Sequence, residues 1–210
     1  MLHYLLKQPK VKTENPPVFI LMHGIGGNEN MLSFLASQLP DDFLIFLLRA
    51  PNLLSDDKYS WFKVEFMEGN INIDIEDVYK SMDEVLRFIE YIKEKYEFDH
   101  SRMFLGGFSQ GGEIAYNVGL THPDLLKGIV VFSSRIPEEI HPMIKQSESL
   151  LRLKIFVYHG SNDPIVNVDF ARNSIAYLQK LGLNPVYRET EDKHRINLNI
   201  FKELNLWLNE

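Results

Sequence analysis

Short apolar runs, four to six residues long, recur along this chain at 18–22, 43–48, 103–108, 128–132 and 155–158, and a further strand is expected at 186–189. A strand with one wet face alternates polar and apolar side chains, so continuous runs of this length are the mark of strands buried on both faces. Between them lie segments with helical spacing. The clearest is 75–96, where Ile75, Val78, Tyr79, Met82, Val85, Leu86, Ile89 and Ile92 recur at steps of three and four, with Asp, Glu and Lys on the other face. Helices are also expected at 30–39, 110–121, 169–181 and 198–208. Such alternation predicts an α/β architecture: a mostly parallel, twisted sheet with helices on both faces. A chain of 210 residues that is 45% hydrophobic can bury one substantial core, and no repeat, low-complexity tract or Gly/Ser linker divides it. Residues 1–210 are therefore expected to form a single domain.

Two connections are longer than a compact α/β unit needs. Residues 50–74 show little regular pattern, yet Trp61, Phe62, Phe66 and Met67 make disorder a poor reading. Residues 133–153 are expected to hold a short amphipathic helix carrying Ile140, Met143 and Ile144. Both follow the C-terminal end of an expected strand, which is where open α/β sheets bind ligands.

The balance of 22 basic against 29 acidic residues gives a formal charge of -7, which repels phosphate backbones and anionic headgroups. Nucleic acid is thus excluded as an expected partner, and Lys7, Lys10 and Lys12 read as a solvated rim. The chain has no cysteine, so disulfides, thiolate zinc sites and a Cys nucleophile are excluded. Tyr4, Leu5 and Leu6 are too brief for a signal-peptide core, and no apolar run reaches the 18 or so residues of a membrane span. No stable membrane insertion and a cytoplasmic location are the expectations.

The strongest local signal is Gly107-Phe108-Ser109-Gln110-Gly111, a G-x-S-x-G match standing between an expected strand and an expected helix. That setting is what a nucleophile turn needs: the serine occupies a tight, strained position where bulky neighbours would clash, at a helix N-terminus whose amides favour developing negative charge. A glycine-rich turn containing a serine by chance is the alternative. Phosphate-binding readings fail on the residues that would carry them. A P-loop needs Lys where Glu113 stands, and a dinucleotide fingerprint beginning at Gly24 needs glycine where Glu29 stands.

A serine hydroxyl needs a base to take its proton and a carboxylate to orient that base. Where the nucleophile sits on such a turn, the chain order is Ser, then Asp or Glu, then His. Asp163, in His159-Gly160-Ser161-Asn162-Asp163-Pro164 just beyond the strand 155–158, is the expected acid, although an Asp before Pro is also a common turn former. It is preferred over Asp169, which is expected to cap the next helix. His194 is the sole histidine after Asp163 and so the expected base; in isolation, Glu191-Asp192-Lys193-His194 would read equally well as an exposed polar turn. His122 and His141, each followed by Pro, read as surface residues. For the oxyanion, the backbone amides of Gln110 and Ile25 are the expected donors. His23 either organises the glycine loop or is a buried, hydrogen-bonded core residue.

Taken together, Leu21-Met22-His23-Gly24-Ile25-Gly26-Gly27-Asn28-Glu29, Trp61-Phe62, Gly107-Phe108-Ser109-Gln110-Gly111-Gly112, His159-Gly160-Ser161-Asn162-Asp163 and His194 resemble the phospholipase/carboxylesterase family, which includes acyl-protein thioesterases and bacterial carboxylesterases. The resemblance implies an α/β-hydrolase fold without a large cap domain, no cofactor or metal, and a small-molecule acyl ester or thioester as substrate. The family usually has glycine where Lys193 stands and Ser-Gly where this chain reads Ser133-Ser134-Arg135. Trp61 and Phe62 are expected to line the substrate site, the alternative being that they pin their loop to the core. A monomer or homodimer is expected.

Overall fold

The computed structural model describes residues 1–67 and 70–210, with 65–67 and 70–72 described by their backbone alone. Among the described residues the main sheet has seven strands: β1 (Tyr4–Lys7), β2 (Val18–Met22), β3 (Leu44–Leu48), β8 (Met103–Phe108), β9 (Gly128–Phe132), β10 (Lys154–Gly160) and β11 (Val186–Thr190). They lie side by side in the order β1-β3-β2-β8-β9-β10-β11. Every neighbouring pair is parallel except β1 with β3. The strands expected from the apolar runs are all present.

Successive side chains of the central strands enter two separate cores. Val18, Ile20 and Met22 of β2 join Leu105 of β8 and Val131 of β9 on one face. Against that face pack α2 (Ile75–Lys95), α3 (Gln110–Thr121), α4 (Glu148–Arg152) and α5 (Val168–Lys180). Phe19, Leu21, Phe104, Val130 and Phe156 occupy the other face, covered by α6 (Ile200–Asn209) and the short α1 (Ser33–Ala36). Trp207 of α6 lies 5.8 Å from Phe104 and 5.6 Å from Phe156, centroid to centroid. Each such large side chain removed from water contributes ~1.5–3 kcal/mol, which is why the apolar runs decide the layering.

Four local expectations are corrected. The helix expected at 30–39 shrinks to α1: its N-cap, Leu32, has no side-chain oxygen, and Asn28 Oδ1 instead accepts the Asn30 amide in a turn. Asp169 lies within the first turn of α5, whose cap is Asn167. Lys7 is a half-buried member of β1 rather than rim, with its ammonium on the Ser33 carbonyl. The described residues of 50–74 are not patternless: they hold an antiparallel hairpin, β4 (Asn52–Ser55) with β5 (Lys58–Ser60), and a second antiparallel strand pair, β6 (Val64–Met67) with β7 (Asn70–Ile73). The hairpin turns on Asp57 at φ 57°, a conformation glycine or asparagine would normally advertise, and its register shifts between Leu53 and Ser55. Residues 133–153 hold a 3-10 segment, Glu138–Met143, with Ile140 buried, followed by α4. No large cap covers the sheet among the described residues.

Candidate active site

The C-terminal ends of β2, β8, β10 and β11 bring together the segments singled out in the sequence. Ser109 follows β8 directly and has φ 54° and ψ -118°, while α3 begins at the next residue. A non-glycine residue held there carries strain of about 1–3 kcal/mol, which its surroundings must over-determine. They do so through backbone: Ser109 N–H donates to Phe132 O at 2.9 Å, and Ser134 Oγ donates to Ser109 O at 2.8 Å. The turn also requires its glycines. A Cβ on Gly107 would stand 2.2 Å from Gly111 C, and one on Gly111 would stand 2.3 Å from Met22 O. Ser134, a departure from the usual family glycine, thus supplies a hydroxyl that fastens the serine turn.

Asp163 is buried and His194 is largely so, with side-chain exposures of 0% and 17%. His194 Nδ1 donates to Asp163 Oδ2 at 2.6 Å, while Asp163 Oδ1 accepts the amides of Ile165 at 2.8 Å and Val166 at 2.9 Å. Burial alone would raise the Asp163 carboxyl, but the His194 hydrogen bond and the two amides outweigh it and hold the group below its ordinary value. That pairing leaves His194 Nε2 as the free nitrogen. The imidazole packs 4.7 Å from the ring of Phe108, the residue before the serine. No hydrogen bond joins Ser109 Oγ to His194 among those of the described residues; such contacts commonly close only when substrate is bound.

Neither of the two expected oxyanion amides has a backbone acceptor among the described residues. Gln110 N–H opens α3, where a helix leaves its first amides unpaired, and Ile25 N–H has no backbone acceptor among the described residues, whereas its neighbour Gly26 donates to Tyr59 O at 2.8 Å. Tyr59 N in turn donates to Gly27 O at 2.9 Å, so the β4/β5 hairpin holds the glycine loop in place. His23 is both of its alternatives at once. It is buried, Nδ1 donates to Gly24 O at 2.6 Å, and Nε2 accepts the Ala50 amide at 3.0 Å. Desolvation lowers its pKa, keeping it a neutral organiser.

Trp61 and Phe62 are 0% and 1% exposed, so their side chains are core members rather than an open wall. Trp61 Nε1 donates to His23 O at 2.8 Å. The Gln110 side chain spans the pair, Oε1 accepting Trp61 N–H at 3.0 Å and Nε2 donating to Phe62 O at 2.8 Å.

Three residues here went unread in the sequence as parts of the site. His159 is fully buried, donates from Nε2 to Val166 O at 2.8 Å and stands 3.5 Å from Asp163 Oδ2. Its burial lowers its pKa, so it braces the aspartate loop as a neutral ring. Glu113, one turn beyond the serine, is buried against Arg135 with an Oε1 to Nε distance of 3.1 Å. Asp192, inside what reads as an exposed polar turn, is only 7% exposed. The sequence signal for Asp192 was its company of Thr190, Arg195 and Asn197.

A parallel-sheet hydrolase with a serine at a strained strand-to-helix turn is the class that this fold and arrangement define. The sequence model of the phospholipase/carboxylesterase family matches residues 7–209, and the chain belongs to that family. Among its relatives, acyl-protein thioesterase 1 of Cryptococcus neoformans is 28% identical over 191 residues, covering 84% of this chain and 80% of the relative. The putative hydrolase MhqD of Bacillus subtilis is 24% identical over 197 residues, covering 92% of each. Of solved structures, the Bacillus cereus carboxylesterase superposes with a TM-score of 0.84 at 23% identity, covering 100% of this chain and 94% of its own. The Zea mays acyl-protein thioesterase 2 does so with 0.81 at 19% identity, covering 99% and 97%.

No helix of the described residues is long and apolar enough to cross a membrane.

Proposed function

We propose that this protein is a serine carboxylesterase that hydrolyses short- to medium-chain acyl esters through an acyl-enzyme, with Ser109, Asp163 and His194 as its catalytic triad. The observation that carries the reading is the convergence at one sheet end of a serine at φ 54° with an Asp163–His194 hydrogen bond of 2.6 Å. Ser109 Oγ attacks the ester carbonyl carbon as His194 Nε2 takes its proton. The resulting oxyanion accepts the amides of Gln110 and Ile25, donors worth ~3–4 kcal/mol each when aimed at a transition-state charge. Asp163 remains ionised and stabilises the imidazolium. Collapse breaks the ester C–O bond, and His194 returns the proton to the departing alcohol. Water then attacks the acyl-enzyme by the same route and regenerates the serine. None of these steps needs a cofactor.

In this reading Trp61 and Phe62 serve the substrate from behind, by fixing the loop beside Gln110. An acyl thioester follows the same steps with a thiol leaving group, and the named thioesterase relatives favour keeping it as the second substrate class.

A fluorophosphonate probe tests the nucleophile, and nitrophenyl esters of increasing acyl length run beside acyl thioesters test the substrate. Labelling at Ser109, slowed greatly by His194→Ala, is expected. Labelling at another serine, or at an unchanged rate without His194, overturns the assignment.

A further inference from the structure

His194 lies beyond the end of β11, in a segment without regular secondary structure that continues to α6. No helical or sheet ladder therefore fixes the imidazole, and beyond its own bond to Asp163 and its packing on Phe108 its position depends on the hydrogen bonds of its neighbours. Those bonds converge on Asp192. Its Oδ2 accepts from Tyr158 Oη at 2.9 Å, Thr190 Oγ1 at 2.8 Å and Asn197 Nδ2 at 2.8 Å. Its Oδ1 accepts from Arg195 Nε at 2.8 Å and Nη2 at 2.6 Å. Tyr158 belongs to β10, Thr190 ends β11, and Arg195 and Asn197 follow His194. One carboxylate thus ties the chain before the histidine to the chain after it and fastens both to the sheet.

The same residue couples this loop to that of Asp163. Asn162 N–H donates to Asp192 O at 3.0 Å, Asn162 Nδ2 donates to Glu191 O at 2.9 Å, and Ser161 N–H donates to Thr190 O at 2.6 Å. The two loops approach so closely that a Cβ on Gly160 would lie 2.3 Å from Asp192 O. The donors of Asn197, Thr190 and Arg195 hold the Asp192 carboxyl far below its ordinary range, so it is an anion throughout the working pH range. Not all arms weigh equally. Arg195 is 72% exposed and its ion pair is worth little in water, which leaves Tyr158, Thr190 and Asn197 as the principal holds.

We propose that Asp192 is a positioning residue for the reaction: its carboxylate gathers β10, β11 and the segment after His194 into one rigid unit that sets the imidazole against Asp163 and Ser109. The proposal rests on the serine-hydrolase reading above. Asp192 acts through His194 and is not itself a triad acid, since its two oxygens are engaged by the donors already named. At this site Lys193, exposed where the family usually has glycine, need do no structural work.

Asp192→Ala tests this by removing both carboxylate oxygens. Tyr158, Thr190 and Asn197 then lose their common acceptor and the hub is broken, whereas an asparagine could keep all three on its oxygen by turning its NH2 toward the exposed Arg195. Displacing a catalytic group by an ångström costs about a hundredfold. The variant is therefore expected to lower both kcat on nitrophenyl acetate and the rate of fluorophosphonate labelling ~10- to 100-fold, with KM within about twofold. Arg195→Ala should stay within about threefold of wild type. A double-mutant cycle separates positioning from simple support of the fold. In a His194→Ala background, read over extended incubation, Asp192→Ala should change labelling by less than about twofold, because the group through which it acts is gone. Wild-type kcat in Asp192→Ala, or a loss of the same size with and without His194, overturns the proposal. Should Asp192→Ala fail to fold, Asn197→Ala and Thr190→Val each remove one arm. Their losses must then be confined in the same way to enzyme that has His194, and losses independent of His194 overturn the proposal. A wild-type protein unlabelled at Ser109 would remove the hydrolase reading, and this inference with it.

Discussion

The side-chain amide of Gln110 is bonded at both ends to the backbone of Trp61 and Phe62, at 3.0 Å to the Trp61 amide and 2.8 Å to the Phe62 carbonyl. The residue whose main-chain N–H faces the proposed oxyanion is therefore locked by its own side chain to a loop about fifty positions earlier. Gln110→Ala leaves a buried N–H and a buried C=O unpaired, each costing ~1–3 kcal/mol. We expect a fall in melting temperature together with a fall in kcat that is larger than any change in KM. Equal kcat and a lower melting temperature would confine Gln110 to a structural role.

Ser109→Ala removes the nucleophile and adds no volume. Esterase activity should fall by roughly a thousandfold or more, as losses of triad members do, with an unchanged melting temperature. Retention of more than about a tenth of the wild-type rate, which corresponds to only ~1.4 kcal/mol of barrier, would place the nucleophile elsewhere.

Trp61→Ala and Phe62→Ala create cavities in a packed core, and Trp61→Ala also strands the His23 carbonyl. Losses of about 3–5 kcal/mol in stability are expected. The ratio of kcat/KM among acetyl, butyryl and octanoyl esters should stay constant, because neither side chain faces solvent. Each methylene in an apolar pocket is worth ~1 kcal/mol or more, so a shifted ratio in folded variant would return these residues to the acyl site.

Burial pushes the Glu113 carboxyl from its ordinary 4.5 up to about 7, against the pull of Arg135. Between those values the folded protein holds a proton that the unfolded chain has released. The stabilisation is full below pH ~4.5 and is lost as pH rises through about 7, a tenfold difference in proton affinity being worth ~1.4 kcal/mol. Glu113→Gln is neutral throughout, so the melting temperature of wild type minus that of the variant should decline between pH 5 and pH 8. A difference that is flat or rises across this window would mean that Arg135 keeps Glu113 ionised.

The sequence determined the layers and the strand-to-helix turn at Ser109 because both are local. Continuous apolar runs such as 18–22 and 103–108, too short for helices, mark strands covered on both faces, and Gly107 and Gly111 mark a turn that tolerates no Cβ. Chain order then singled out Asp163 and His194, which the fold brings to 2.6 Å. What the tertiary structure alone decided are the partnerships across long stretches of chain. β1 exists through its pairing with β3, forty positions on, since a four-residue edge strand has no periodicity of its own. The β4/β5 hairpin hangs on a register shift and an aspartate at positive φ. Asp192 reads as a solvated charge until Tyr158 and Asn197 are seen to enclose it, and Trp61 reads as a pocket wall until Gln110 and His23 are seen to hold it. Hydrophobic burial depends on residue type and spacing and so is written along the chain, whereas a hydrogen bond depends on two groups meeting in space, and that is settled only when the chain has folded.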